Sequence, residues 1–528
     1  MFSRKEKQAS KSETKTVFKI APVQGIFDLP DVVDKTILDV RYPLMEPYAY
    51  AHIYWSEENH ELVYDLEEPE MNEGEKKTLD LIEKSVEELI NISFIAIKNT
   101  DVVIEYLEKN IKVILNEFRV KVSQESLNKM MYYVYRDFVG LNEVEPLMKD
   151  YYIEDIECNG VGFPVYLVHR KYRNLRTNIT FNDVGRLTSF VEKLAQKCGK
   201  YISYATPLLD GALPDGSRVN ATYTQDITSR GPSFTVRKFT KEPFSPIKMI
   251  QVRTASPELL AYLWILIEYE SNILIIGGTG SGKTSFLNSL AFFIPPQARV
   301  VSIEDTRELS LVHENWLPSV AREGIGVSNL GGSKHGEVSL FQLLKESFRQ
   351  RPDYVIVGEI RGQEAYVLFQ GMSSGHPSFG TMHAEDVQTM IRRLETKPIE
   401  LSPSLVESLD AVVIMSQLKT TQKAMRKVKS VVEILKVHQK VGTAEINTPF
   451  VWDPRTDKFY FSRNSRIFNK LMTIHGVPRQ KLEVEFRRRT ELLMKMYSAG
   501  IANYKEVQDI ITAYYKTPKK VLKKFNIK

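Results

Sequence analysis

A chain of 528 residues with 43% hydrophobic and 26% charged residues has the make-up of a soluble globular protein and exceeds one core, so three or more packed units are expected. The net charge of +5 permits contact with an acidic membrane surface but does not argue for a nucleic-acid binder. The two cysteines, Cys158 and Cys198, form no CxxC pair, which excludes a cysteine-rich zinc module or a disulfide framework and fits a reducing cytoplasm.

Residues 1–16 are polar and basic, lack the apolar core of a signal peptide, and are predicted to be a disordered tail. Over 17–146 the pattern predicts a β-rich piece and then helices. Alternating runs such as AYAHIYW and ELVYDL come first, followed by Glu, Lys, Leu and Ile at helical spacing from 74. Residues 150–240 mix strands (VYLVHR, SFTVRKF) with one amphipathic helix (FNDVGRLTSFVEKLAQKCG), the signature of a smaller α/β domain. The stretch from Phe239 to Glu258 holds three prolines and no period, which places a linker at 241–255.

The pattern then changes. Ser256-Pro257-Glu258 is an N-cap, a proline in the first turn and an acidic residue, opening the helix LLAYLWILIEYE. The long apolar stretch Leu259–Ile276 contains Glu268 and Glu270, so it is not read as a transmembrane helix. Apolar strand candidates follow at Ile273–Ile276, Arg299–Ile303, Tyr354–Val357, Phe379–Met382 and Ala411–Met415, mostly separated by helical patterns. That alternation predicts a largely parallel, doubly wound sheet over 256–440. Residues 441–528 are predicted to finish a hairpin and continue as a basic helical tail.

Four stretches bear chemistry. Gly277-Gly278-Thr279-Gly280-Ser281-Gly282-Lys283-Thr284 fits GxxxxGK[ST] between an apolar strand and a helix, the context a phosphate loop requires. Its amides and the helix N-terminus favour an anion; Lys283 is placed to reach the β- and γ-phosphates and Thr284 to ligand Mg²⁺. In VVSIEDTREL the carboxylates Glu304, Asp305 and Glu308 follow a strand, at the sheet edge that faces a ligand crevice; taken alone, a solvated acidic turn is the lesser alternative. In DYVIVGEIRG, Glu359 follows an apolar strand, where a carboxylate can hold a Mg²⁺ shell or reach a water in line with the γ-phosphate; alone, a surface glutamate is an equal explanation. GHPSFGTMHA contains His376 and His383 without a third ligand for a metal site, so a hydrogen-bonding role beside the phosphates is the expectation, with a structural role for His376 the near equal.

In this order the four stretches resemble the secretion-superfamily traffic ATPases of type II and type IV secretion, type IV pili and the archaellum. The resemblance spans about 150–440 and rests on the phosphate loop, an acidic box (Ile303–Leu309), a variant Walker B (Arg351–Arg361) and a histidine box (Gly375–Ala384). It implies a RecA-like P-loop α/β core, ATP hydrolysis with Mg²⁺, and a γ-phosphate flanked by Glu359 and Glu308. It further implies a metal set of Thr284, Asp305 and Glu359, with His383 beside the nucleotide. Arginines from the preceding domain, acting across a homohexamer interface, map onto Arg218 and Arg237, with Arg230 as the alternative. The implied partner is a polytopic membrane platform protein, with an anionic lipid surface nearby, for a cytoplasmic protein peripheral to the inner face of the cell membrane. No nucleic-acid partner is expected. Gly362 stands where many members carry Asp, and no zinc subdomain is present. The long N-terminal region, ENWLPSVAREG and the helical tail look most like the archaeal archaellum and pilus motors. The competing readings are a P-loop nucleic-acid translocase or helicase and a non-hydrolysing nucleotide-gated scaffold; scattered basic residues count against the first, the intact set Lys283, Thr284, Glu308 and Glu359 against the second.

Overall fold

In a computed structural model the chain divides into two compact units, Met1–Phe239 and Thr240–Lys528. The residues described are 18–22, 27–31, 34–89, 100–239, 242–322, 324, 335–419, 424–440 and 442–527; the tail expected at 1–16 lies outside them.

In the first unit the strands are β1 (Ala21–Pro22), β2 (Asp39–Glu46), β3 (Ala49–Ser56) and β4 (Glu61–Glu67), then helices α1 (Glu73–Leu89), α2 (Thr100–Glu117), α3 (Gln124–Val134) and the short α4 (Glu145–Lys149). After them come β5 (Ile153–Cys158), β6 (Pro164–His169), β7 (Arg173–Thr180), α5 (Val184–Lys197), β8 (Leu208–Ala212), β9 (Arg218–Thr222) and β10 (Ser233–Arg237). The ten strands form one sheet, in the order β1-β2-β3-β4-β7-β6-β5-β10-β9-β8. The boundary expected near 146–150 is therefore not a sheet boundary, and two units replace the three or more expected from length. The cause is one junction that no local pattern announces: β4 pairs parallel with β7, and the Asn178 side chain both donates to and accepts from the Leu66 backbone at 3.0 Å. Buried Asp150 adds a second tie by accepting from Tyr42 and Tyr64 at 2.7 and 2.8 Å.

The second unit opens with α6 (Pro246–Gln251), capped by the Ser245 side chain and burying Ile247, Met249 and Ile250. Six of the fifteen residues expected as linker are thus helix. Ser-Pro is an N-terminal signal as well as a breaker, and the apolar residues behind it find a core. Then follow α7 (Pro257–Glu268), β11 (Ile273–Gly277), α8 (Lys283–Ala291), β12 (Val300–Glu304), β13 (Trp316–Val320), α9 (Leu340–Arg349), β14 (Tyr354–Ile360), α10 (Glu364–Ser373), β15 (Ser378–Met382), α11 (Val387–Glu395), α12 (Pro403–Val406) and β16 (Ala411–Lys419). The chain ends with β17 (Ala424–Val437), β18 (Ala444–Asp453), β19 (Lys458–Phe461), α13 (Arg466–His475), α14 (Arg479–Ser498), α15 (Tyr504–Lys516) and α16 (Pro518–Lys524).

The nine strands order as β13-β12-β14-β15-β11-β16-β17-β18-β19, parallel from β13 to β16 and antiparallel beyond. Strand β11 sends alternate side chains to opposite faces. Ile273 and Ile275 enter the core shared with α7, α8, α14 and α15, and Leu274 and Ile276 enter the one shared with α9, α10 and α11. Both faces are covered, so the strands read as continuous apolar runs. All five predicted strands are present; β13 is additional, and the antiparallel extension carries the sheet past the boundary expected at 440. The chain leaves β11 to one side for β12 and later crosses back over it to β16, so the C-terminal end of β11 is a topological switch point, where ligands bind in open α/β sheets.

Candidate nucleotide site

The phosphate loop occupies that switch point. Gly280 and Gly282 have φ of +71° and +89°, a left-handed backbone that side chains disfavour, and Gly282 is the N-cap of α8. At Gly277 an added Cβ would lie 2.5 Å from the Met415 carbonyl, so the loop needs glycine there for close approach. Ser281 Oγ donates to the Gly278 carbonyl at 2.8 Å and braces the turn. Lys283, only 7% exposed, donates from Nζ to the carbonyls of Gly277 and Gly278 at 3.2 and 3.1 Å and lies 3.4 Å from His383 Nδ1. Burial lowers its ammonium pKa, against the opposing pull of the Glu359 and Glu308 charges. Thr284 is half-buried on the first turn of α8.

Glu359 reaches the site through an irregularity in β14. Val357 pairs with Gly380 and Ile360 with Met382, so two residues of β14, Gly358 and Glu359, stand against one of β15. Val355, Val357 and Ile360 all enter the same apolar cluster although 357 and 360 differ in parity. Without the bulge Glu359 would take the inward position; with it, Ile360 does and the carboxylate is released. Thr381 Oγ1 holds the bulge by donating to the Gly358 carbonyl at 2.6 Å. The freed carboxylate meets Arg361 at 2.5 Å and lies 3.0 Å from His383 Nε2. Burial works to raise the Glu359 carboxyl, but Arg361, His383 and Lys283 outweigh it and hold it below the usual range. His383 is itself lowered, first by burial and then by the Lys283 charge.

The acidic box divides its labour. Glu304, 2% exposed at the end of β12, accepts at 2.9 Å from the backbone N–H of Glu308 and of Leu309, and burial pushes its carboxyl up to about 7. It therefore shapes the turn that carries Glu308, whose charge is felt at Lys283. Asp305 lies 3.8 Å from Arg361.

Of the expected residues, the fold brings together the phosphate loop, Glu308, Asp305, Glu359 and His383. It leaves out His376. That residue precedes β15, at the far end of the strand from His383, and packs edge-on to Phe348 with centroids 5.0 Å apart. Arg218, Arg237 and Arg230 belong to the first unit, where Arg218 pairs with Asp210 at 2.8 Å, Arg237 with Asp155 at 2.9 Å, and Arg230 lies 4.1 Å over the Phe163 ring. Arg361 was visible in the motif but carried no assigned role; its pairing with Glu359 follows from the bulge. Beside Gly362, Glu364 accepts from the N–H of Arg361 and of Gly362 at 2.6 Å.

Among the described residues no cluster of three His, Cys, Asp or Glu side chains suits a metal on its own. Thr284, Asp305 and Glu359 nevertheless offer oxygen donors of the kind Mg²⁺ takes together with phosphate and water. Glu359 Oε1 supports the fit: it is buried and, among the described residues, has no hydrogen-bond partner, its near contact being His383 Nε2 at 3.0 Å.

The profile of the family described as Type II/IV secretion system protein matches residues 151–455. The uncharacterized protein MJ0900 of Methanocaldococcus jannaschii is 38% identical over 402 residues, 75% of this chain and 71% of that protein. The type IV secretion system protein PtlH of Bordetella pertussis is 28% identical over 269 residues, 44% of this chain and 77% of its own. Among solved structures, the VirB11 ATPase from the Brucella suis type IV secretion system in complex with sulphate aligns at 23% identity and TM-score 0.27, covering 55% of this chain and 92% of that one. The fold assignment rests on the strand order and the family match. The chain belongs to the type II/IV secretion system protein family.

Proposed function

We propose that the chain is an ATPase motor whose hydrolysis powers assembly of a type IV pilus-like or archaellum filament, or a type II/IV-like secretion step, by acting on a polytopic membrane platform protein. What carries this reading is the convergence of Lys283, His383, Glu359 and the Glu308 turn at the C-terminal edge of a parallel sheet. Lys283 binds the phosphates, Glu359 and Glu308 position the attacking water, and His383 links Lys283 to Glu359. Thr284, Asp305 and Glu359 are the residues that would hold Mg²⁺, which would supply charge neutralisation on the phosphates. Arg218 and Arg237 are proposed to act in trans in a homohexamer, the arrangement in which an arginine raises phosphoryl-transfer rates by about 10³ or more.

The family match supports the secretion or filament role, and the similarity to MJ0900 supports the archaeal branch. Among the described residues no helix is long and apolar enough to cross a membrane. A cytoplasmic motor docked at the inner membrane face, beside anionic lipid, accommodates that observation.

The test is phosphate release by purified protein. Glu359→Gln is expected to lower the rate about 10²-fold or more while ATP affinity stays within a few-fold of wild type. A wild-type rate in the variant sinks the assignment. Strong stimulation by single-stranded DNA, lost at high salt, would instead favour the translocase reading.

A further inference from the structure

Strand β11 ends at Gly277, paired with Met415 on β16. β16 continues to Lys419, and β17 returns beside it from Ala424, so this hairpin overhangs the phosphate loop. One cross-strand pair, Gln417 and Arg426, faces the loop. A Cβ added at Gly280 would lie 3.4 Å from Gln417 Oε1, and one at Gly282 would lie 3.1 Å from Arg426 Cδ. Arg426 Nε donates to the Gly280 carbonyl at 3.0 Å. Its neighbour Lys427 points the other way and is buried against Asp457.

Arg426 is exposed and, among the described residues, forms no ion pair with a carboxylate. The loop already concentrates positive potential from Lys283 and the N-terminus of α8. A further cation held against it adds repulsion, which the hydrogen bond to the Gly280 carbonyl offsets in part and an anion between the cations would turn into attraction. The two sides of β11 then differ. His383 and Glu359 approach from the β15 side, where Glu308 also acts on Lys283; Arg426 approaches from the β16 side.

We propose that Arg426, steadied by Gln417, binds the diphosphate portion of the nucleotide from the β16 side, as a cationic contact supplied by the same subunit. It is a binding residue and takes no part in the chemistry at the γ-phosphate. The inference rests on the phosphate loop being a nucleotide site.

Titration of the full chain with a fluorescent ADP and a fluorescent ATP analogue separates the two ideas. Arg426→Gln is expected to raise Kd for both nucleotides about 10-fold, equally, with an unchanged melting temperature. Arg426→Lys is expected to recover most of the affinity, and Gln417→Ala to lose a smaller part. No binding by the unmodified chain overturns the nucleotide reading itself. Tight binding by the unmodified chain with an Arg426→Gln Kd within twofold of it overturns only the Arg426 inference. A loss that comes with a lowered melting temperature and is not relieved by Arg426→Lys also overturns it, since the residue would then merely scaffold the loop.

Discussion

Glu304 ends β12 next to Asp305 and is buried, with Oε2 lacking a hydrogen-bond partner among the described residues. Its carboxyl is pushed from 4.5 to about 7 by burial. A group whose folded pKa is raised holds a proton that the unfolded chain releases between these two values. Stability therefore falls as pH rises through that window and is level above it. The difference corresponds to about 3 kcal/mol. Glu304→Gln keeps an acceptor for the Glu308 and Leu309 amides but cannot ionise. It is expected to match wild type near pH 4 and exceed it by about 3 kcal/mol at pH 8 in urea unfolding. Parallel pH profiles for the two proteins would show that Glu304 ionises freely in the fold.

At the scale of elements, one carboxylate organises the C-terminal third. Glu433 on β17 is fully buried and accepts from Tyr262 of α7 at 2.6 Å, Asn447 of β18 at 2.6 Å and Ser465 at 2.5 Å. It also accepts from the first backbone N–H groups of α13, at Arg466 (2.8 Å) and Ile467 (3.3 Å), where a negative charge is favoured. Replacing it by Ala strands several donors at once. A loss of about 3–5 kcal/mol is expected, read as a shift in denaturation midpoint with early proteolytic cleavage at the β19–α13 junction. A second tie is Arg489 of α14, buried, ion-paired with Glu268 of α7 and 4.9 Å over the Trp264 ring. The basic tail expected from composition is thus anchored by a cation used as packing.

At the scale of the molecule, each unit owns its core: one apolar cluster spans Phe18 to Val236, and two others lie between Ile247 and Ile527. Residues 242–528 expressed alone are therefore expected to fold and bind nucleotide. If Arg218 and Arg237 act as proposed, that fragment hydrolyses ATP about 10³-fold more slowly than the full chain under matched oligomeric conditions. A fragment at the full rate would remove both arginines from the catalytic scheme.

The phosphate-loop motif and five strands of the second unit's sheet were legible in the sequence, as were the strand-end carboxylates Glu359 and Glu308 that the fold places near Lys283. Each is a local signal: glycines where the backbone must turn left-handed, β-prone runs long enough to be buried on both faces, a carboxylate at a strand end. Four things were decided only in three dimensions. The parallel pairing of β4 with β7 merges two expected regions because edge strands carry no mark of their distant partner. The bulge at Gly358–Glu359 selects which side chain enters the core, a choice set by the register against β15. His376 and His383 separate because a strand lies between them and holds its two ends apart. Gln417 and Arg426 reach the loop because β16 outruns β11, and relative strand length is a property of the sheet. Motifs are written along the chain, where local sterics and charge act. Neighbours across strands are set by register, and register is settled only when the whole sheet packs.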